Sequence, residues 1–129
     1  MGQIFKFPKS ERLVGKYRLE QLFTEGEAFI SYPLRVVYFF AEKDNSSVKT
    51  LVNVPKKRFK RAVKRNLLKR RMREAYRLNK ESLRTVLEEK NRTLFVGFMY
   101  ISNDILEYAV IEKKMKEALK KLAEISSEK

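Results

Sequence analysis

The sequence predicts an α/β fold, a two-layer sandwich in which helices pack against one sheet, with the element order αβββαβα. Three observations predict this fold. A long basic stretch has the spacing of an amphipathic helix, several short runs are rich in β-branched and aromatic residues, and the C-terminal part has apolar residues at helical spacing. With 129 residues, 43% of them hydrophobic, the chain fits a single domain over residues 1–129.

The N-terminal part predicts an extended segment followed by a short helix. Residues 1–9 are expected to be extended, because Pro8 disfavours helix at the residue before it. A helix is expected over Lys16–Glu25, where apolar residues recur at helical spacing and Gly26 offers a C-cap.

Three strands are predicted next. A brief strand covers Ala28–Ser31, and a longer one covers Leu34–Phe40, which is rich in β-branched and aromatic residues. The polar run Lys43–Ser47 predicts a turn. Val48–Val54 is therefore expected to pair with the preceding strand as a hairpin.

The C-terminal half predicts two helices and one strand besides the basic stretch. Glu81–Glu89 has helical spacing, and Thr93–Ile101 is the most continuous apolar stretch, as expected for a central strand buried on both faces. Asp104, with Glu107 three residues on, resembles a capping box at the start of a final helix that runs to about Glu124. Residues 126–129 are expected to fray.

Residues 56–80 carry most of the charge of the chain. They hold 13 of the 30 Lys and Arg residues and a single acid, Glu74, and so supply +12 of the net charge of +14. On a helix their side chains sort into two faces. The polar face, within roughly 140° of arc, comprises Arg65, Asn66, Lys69, Arg70, Arg73 and Arg77. The apolar face comprises Leu67, Leu68, Met72, Ala75 and Leu78, with Arg71 expected to reach its edge.

Such dense positive charge on one ordered face predicts an anionic partner, because the repulsion would otherwise weaken the helix. Nucleic acid is the first candidate, and a solvated face is the alternative. An anionic membrane or a calmodulin-like partner usually requires a bulkier, more aromatic apolar face. A DNA-binding helix would require a dimerising heptad or a helix-turn-helix partner, and the sequence predicts neither.

Composition argues against a protein-built active site. Cys and His are absent, which excludes disulfides, thiolate nucleophiles and imidazole bases. The 16 acidic residues are scattered, without a DxD cluster or a Gly-rich phosphate loop. No metal site is predicted. The sequence lacks the apolar run of a signal peptide and the roughly 18 apolar residues of a membrane span, so a cytoplasmic location is predicted, without a membrane partner.

Residues 65–77, RNLLKRRMREAYR, resemble the signature RNxxKRxxRExxR of the bacterial ribonuclease P protein subunit. All seven defined positions are met at their spacings. The resemblance extends from FPKSERL near the N-terminus to the late strand and helix, and so covers nearly the whole chain.

The resemblance implies a subunit of an endoribonuclease that removes the 5′ leader of precursor tRNA. It implies a catalytic RNA as partner, a protein that is inactive alone and needs no protein partner, and Mg²⁺ held chiefly by RNA and substrate. It also implies a left-handed βαβ crossover, an exception to the usual rule. The alternative is a non-enzymatic RNA-binding protein of ribosomal or ribosome-assembly type.

The resemblance also assigns roles to particular residues, and no catalytic residue is among them. The predicted RNA-binding residues are Lys56, Lys57, Arg58, Arg61, Arg65, Asn66, Lys69, Arg70, Arg73 and Arg77. The candidates for a cleft that binds the leader are Leu19, Phe23, Tyr38 and Phe39. For Asn66, a bond to RNA and an internal structural bond are both open, and for the aromatic residues stacking and core packing are both open. Glu74 is expected to pair with Arg70 or Arg77.

Overall fold

The computed structural model describes residues 11–128, so the extended segment predicted for residues 1–9 lies outside it. The elements are α1 (Lys16–Glu25), β1 (Glu27–Ser31), β2 (Leu34–Ala41), β3 (Val48–Asn53), α2 (Ala62–Asn79), α3 (Glu81–Glu89), β4 (Thr93–Tyr100) and α4 (Tyr108–Glu128). The predicted α/β sandwich is confirmed. The observed order is αβββααβα, because the piece Glu81–Glu89 forms a separate helix after the basic one.

The four strands form one sheet in the order β1-β2-β4-β3. Strand β4 lies between β2, to which it is antiparallel, and β3, to which it is parallel. The predicted hairpin between β2 and β3 is therefore wrong. The most apolar strand takes the buried central position, as predicted for it, and so separates the two strands that are neighbours in sequence.

The parallel pair of β3 and β4 requires a crossover connection, which α2 and α3 supply. The basic helix thus lies inside a β-α-α-β unit. The left-handedness of this crossover stays a prediction.

The main core lies between the first face of the sheet and helices α2, α3 and α4. The strand residues in it alternate along the chain, with Val36 and Tyr38 from β2 and Val96 and Phe98 from β4. A smaller cluster lies on the second face, where Leu22 of α1 packs with Leu13, Val37 and Phe95. Helix α1 therefore adds a partial third layer on the second face.

Gly26 ends α1, as predicted, but for a different physical reason. Its φ of −77° is not left-handed. A Cβ at this position would overlap the carbonyl oxygen of Leu22 and lie 2.8 Å from that of Tyr38. Glycine is needed here because the end of α1 lies directly against β2.

Helix α4 begins at Tyr108, so the prediction of a capping box at Asp104 is wrong. The backbone N–H of Asp104 instead donates to the Ser102 hydroxyl in a loop before the helix. The helix continues to Glu128, and Ser126, expected in a frayed tail, is buried within it. Among residues 11–128 no helix is long and apolar enough to cross a membrane.

Candidate nucleic-acid interface

The buried stripe of α2 is rotated from the predicted one. Leu68, Met72 and Ala75 are fully buried as predicted, but Tyr76 is also fully buried, whereas Leu78 is 38% exposed. A Tyr side chain buries more apolar area than a Leu, which favours this rotation. Burial raises the pKa of the Tyr76 phenol, so the side chain stays neutral in the core.

The ten predicted RNA-binding residues separate by exposure. We call the exposed ones the basic surface; they are Lys56, Lys57, Arg61, Asn66, Arg70 and Arg73. The partly buried ones are Arg58, Arg65, Lys69 and Arg77. Five cations and one amide thus point outward from α2 and from the segment that leads into it.

Two of the partly buried arginines hold the N-terminal end of the α2 region in place. Arg65 Nη1 donates to the carbonyl oxygens of Phe59 and Lys60 at 2.8 and 2.7 Å, and so closes the turn before the helix. Arg58 Nη1 donates to Asn103 Oδ1 at 2.9 Å in the loop after β4. These contacts orient both guanidinium groups against the protein backbone and the loop after β4.

The side chain of Arg71 extends from the apolar face of α2 to its edge, as predicted. Its Nη1 donates to the Leu106 carbonyl at 2.6 Å. This cation therefore ties α2 to the loop that precedes α4, and its guanidinium group is directed toward protein.

The signature residues Glu74 and Asn66 have distinct surroundings. Glu74 accepts two hydrogen bonds from Arg77, from Nε at 3.0 Å and from Nη2 at 2.9 Å, which confirms one of the two predicted pairings. This bidentate pair fixes the guanidinium plane of Arg77. Asn66 is exposed and makes no side-chain hydrogen bond within residues 11–128, which favours the RNA-contact alternative over the internal one.

The predicted leader-cleft residues do not share one face. Tyr38 is 8% exposed on the first face, with its ring 6.0 Å from that of Phe29 in the main core. Of the two alternatives for Tyr38, the structure supports core packing and not a place in the leader cleft. Phe39 points to the second face, because successive strand residues point to opposite faces.

The other three candidates lie on the second face, Leu19 and Phe23 in α1 itself and Phe39 in β2. Leu19 and Phe39 are partly buried against the smaller cluster, and the Phe39 ring lies 6.1 Å from that of Phe95. Phe23 is 45% exposed. Its Cζ lies 3.8 Å from the place a Cβ would take at Gly97, so the ring rests against the central strand with its outer part in solvent.

The basic surface and the second face meet at the edge strand β3. A cavity of about 310 Å³ there is lined by Arg73 of α2 together with Thr50, Leu51 and Val52 of β3. A separate cavity of about 640 Å³ is lined in part by Phe39 and Phe95. Arg73 of the basic surface thus lies beside β3 at the edge of the second face.

The acidic residues do not form a metal site. Within residues 11–128 no group of three or more carboxylates is close enough to hold a metal ion. The side chains present thus do not fit a protein-built Mg²⁺ site, which would need oxygen ligands that converge.

The comparisons with known proteins agree with this geometry. The family model described as Ribonuclease P matches residues 7–123. The chain is 43% identical over 120 residues to a ribonuclease P protein component of Porphyromonas gingivalis, covering 92% of this chain and 88% of the relative. It is 38% identical over 79 residues to that of Petrotoga mobilis, covering 61% of this chain and 63% of the relative.

Solved structures show the same fold. The RNase P protein of Thermotoga maritima has a TM-score of 0.68 at 22% identity, over 86% of this chain and 96% of that one. The RNase P protein of Staphylococcus aureus has a TM-score of 0.67 at 20% identity, over 87% and 94%. The chain therefore belongs to the ribonuclease P protein family and is a subunit of ribonuclease P.

Proposed function

We propose that this chain binds the catalytic RNA of ribonuclease P through its basic surface and the 5′ leader of precursor tRNA along its second face. The observation that carries the proposal is the meeting of these two surfaces at the edge strand, where Arg73 lines a cavity with residues of β3. One surface offers cations for phosphates and the other offers a half-exposed aromatic ring for bases.

The basic surface suits a structured RNA because its cations stand on a rigid support. Helix α2 is anchored by four fully buried side chains, so its outward residues keep fixed spacings. Arginine and lysine at such positions bind phosphate oxygens and release counterions, which makes affinity fall steeply with salt. The non-enzymatic ribosomal alternative has no support in the family match.

The second face suits a single strand. Phe23 presents its ring beside the central strand, and Leu19 and Phe39 supply apolar surface next to it. Stacking on such a ring depends little on base identity. An enzyme whose substrates have leaders of different sequence requires this.

In this proposal the hydrolysis belongs to the RNA. When bound by the RNA and the substrate, Mg²⁺ would activate a water and stabilise negative charge at the leaving oxygen. The chain contains no His and no Cys. Within residues 11–128 no three carboxylates lie close enough together to hold a metal ion. The protein's own residues bind and orient: arginines hold phosphates, Glu74 orients Arg77, and Phe23 holds the leader.

The direct test is cleavage by reconstituted components. The purified protein with Mg²⁺ should leave precursor tRNA intact, and addition of the in-vitro transcribed ribonuclease P RNA of the same organism should give accurate 5′ cleavage. Gel analysis of labelled precursor measures both. Metal-dependent cleavage by rigorously RNA-free protein would refute this division of labour.

Replacing Phe23 with alanine tests whether the second face binds the leader. The assembled enzyme should lose about 1–3 kcal/mol of its preference for precursor over mature tRNA, because one base loses its stacking partner. Because Phe23 is 45% exposed, its stability cost should stay below the roughly 3–5 kcal/mol of a core Phe. Equilibrium binding of both tRNAs and a melting curve measure these quantities.

Tyr32→Ala is the matched control, since Tyr32 is 54% exposed but lies in the turn between β1 and β2. It should leave the leader preference unchanged. A Phe23→Ala enzyme with an intact fold and an unchanged preference would remove Phe23 from the site.

A further inference from the structure

A buried ion pair fixes the segment that precedes α1. Glu11 and Lys80 are 6% and 1% exposed, and Lys80 Nζ donates to Glu11 Oε1 at 2.6 Å. Arg84 Nε lies 3.9 Å from the other carboxylate oxygen. The segment is therefore attached to the junction of α2 and α3 by a contact that excludes water.

The backbone of the same segment joins the edge of the sheet. Arg12 forms an isolated parallel bridge with Thr50 of β3, and the Leu13 N–H donates to the Thr50 carbonyl at 2.9 Å. Leu13 is 3% exposed in the smaller cluster. Because its neighbours on both sides are buried, Arg12 has a fixed backbone and an exposed side chain.

Arg12 lies where the basic surface meets the second face. It lines the cavity of about 310 Å³ along β3 and a second cavity of about 450 Å³ along α2, and Arg73 lines both as well. The second cavity is lined by Arg12, Asn66, Arg70, Arg73, Glu74 and Arg77. Four guanidinium groups thus surround one carboxylate, which Arg77 already pairs, so the cavity has an excess of positive charge.

We infer that Arg12 is a further RNA-binding residue, which holds with Arg73 a single phosphodiester at the passage between the basic surface and the second face. Two guanidinium groups from separate elements can clamp one phosphate with charge-assisted hydrogen bonds. This inference rests on the proposed function and adds to it an RNA-binding residue outside α2. The phosphate belongs either to the catalytic RNA or to the leader.

The test uses the full-length protein with in-vitro transcribed ribonuclease P RNA over a range of salt concentrations. Arg12→Gln should weaken binding on the order of tenfold at low salt and reduce the salt slope by about one. The double variant Arg12→Gln/Arg73→Ala should lose less affinity than the product of the single losses, because both residues hold one phosphate. Lys90→Ala is the matched control, since Lys90 is exposed at the end of α3 and lines neither cavity.

The same variants in the assembled enzyme identify the source of the phosphate. If Arg12→Gln weakens binding of the catalytic RNA, that RNA supplies the phosphate. If Arg12→Gln reduces only the preference for precursor over mature tRNA, the leader supplies the phosphate. An Arg12→Gln protein with wild-type affinities and slope in both assays would overturn the inference, as would strictly multiplicative losses in the double variant. A weakening by Arg73→Ala alone would then leave the proposed function standing, whereas no effect of either substitution would count against both.

Discussion

Replacing Lys80 with methionine is expected to lower the free energy of unfolding by roughly 3–5 kcal/mol, because it leaves the buried Glu11 carboxylate without its partner. The loss should fall near the lower end of that range, since Arg84 remains 3.9 Å from Glu11. Urea denaturation of both proteins, at the same pH and salt, measures the difference.

The double variant Glu11→Leu/Lys80→Met separates the loss of the pair from the loss of packing. Apolar side chains of similar length remove both charges together, so its stability should return to within about 1 kcal/mol of the wild type. A Lys80→Met protein that is nearly as stable as the wild type would mean that Glu11 is hydrated in solution. The position of Arg12 would then be fixed only by the bridge to Thr50 and by the burial of Leu13.

Replacing Gly26 with alanine is expected to cost about 3 kcal/mol of stability, because the new Cβ would meet two backbone carbonyl oxygens that cannot rotate away. Relief requires α1 to move from β2, and Phe23 would move with it. The leader preference of the assembled enzyme should therefore fall together with the melting temperature.

Gly97→Ala provides the matched comparison. A Cβ there would meet side-chain atoms of Leu22, Met99 and Phe23 at 3.3, 3.7 and 3.8 Å, and these can shift. The cost should stay below about 1.5 kcal/mol. Equal destabilisation by the two substitutions would contradict the argument that the backbone of α1 and β2 sets the limit at Gly26.

Local sequence determined most of the elements of this protein. The bounds of α1 and α3 agree with prediction, since apolar spacing and terminal residues suffice to define a short amphipathic helix. One helical period also predicted the exposure of Arg70 and Arg73, whereas the other three cations of the predicted polar face are partly buried. The pairing of Glu74 with Arg77, three residues on, followed from the same period. The signature string in this helix identified the family, because seven positions at fixed spacings are specific.

Only the tertiary structure decided how these elements meet. Strand β3 pairs with β4 instead of β2, because the partner of a strand depends on burial across the whole sheet and not on distance in sequence. The packing of three helices on one face of the sheet places Tyr38 in the main core and leaves Phe39 on the second face. The fold also brings Arg12 beside Arg73, 61 positions away in the sequence. No local sequence pattern predicts that Arg12 and Arg73 are close. Their proximity depends on the buried ion pair between Glu11 and Lys80, which forms only when the chain has folded.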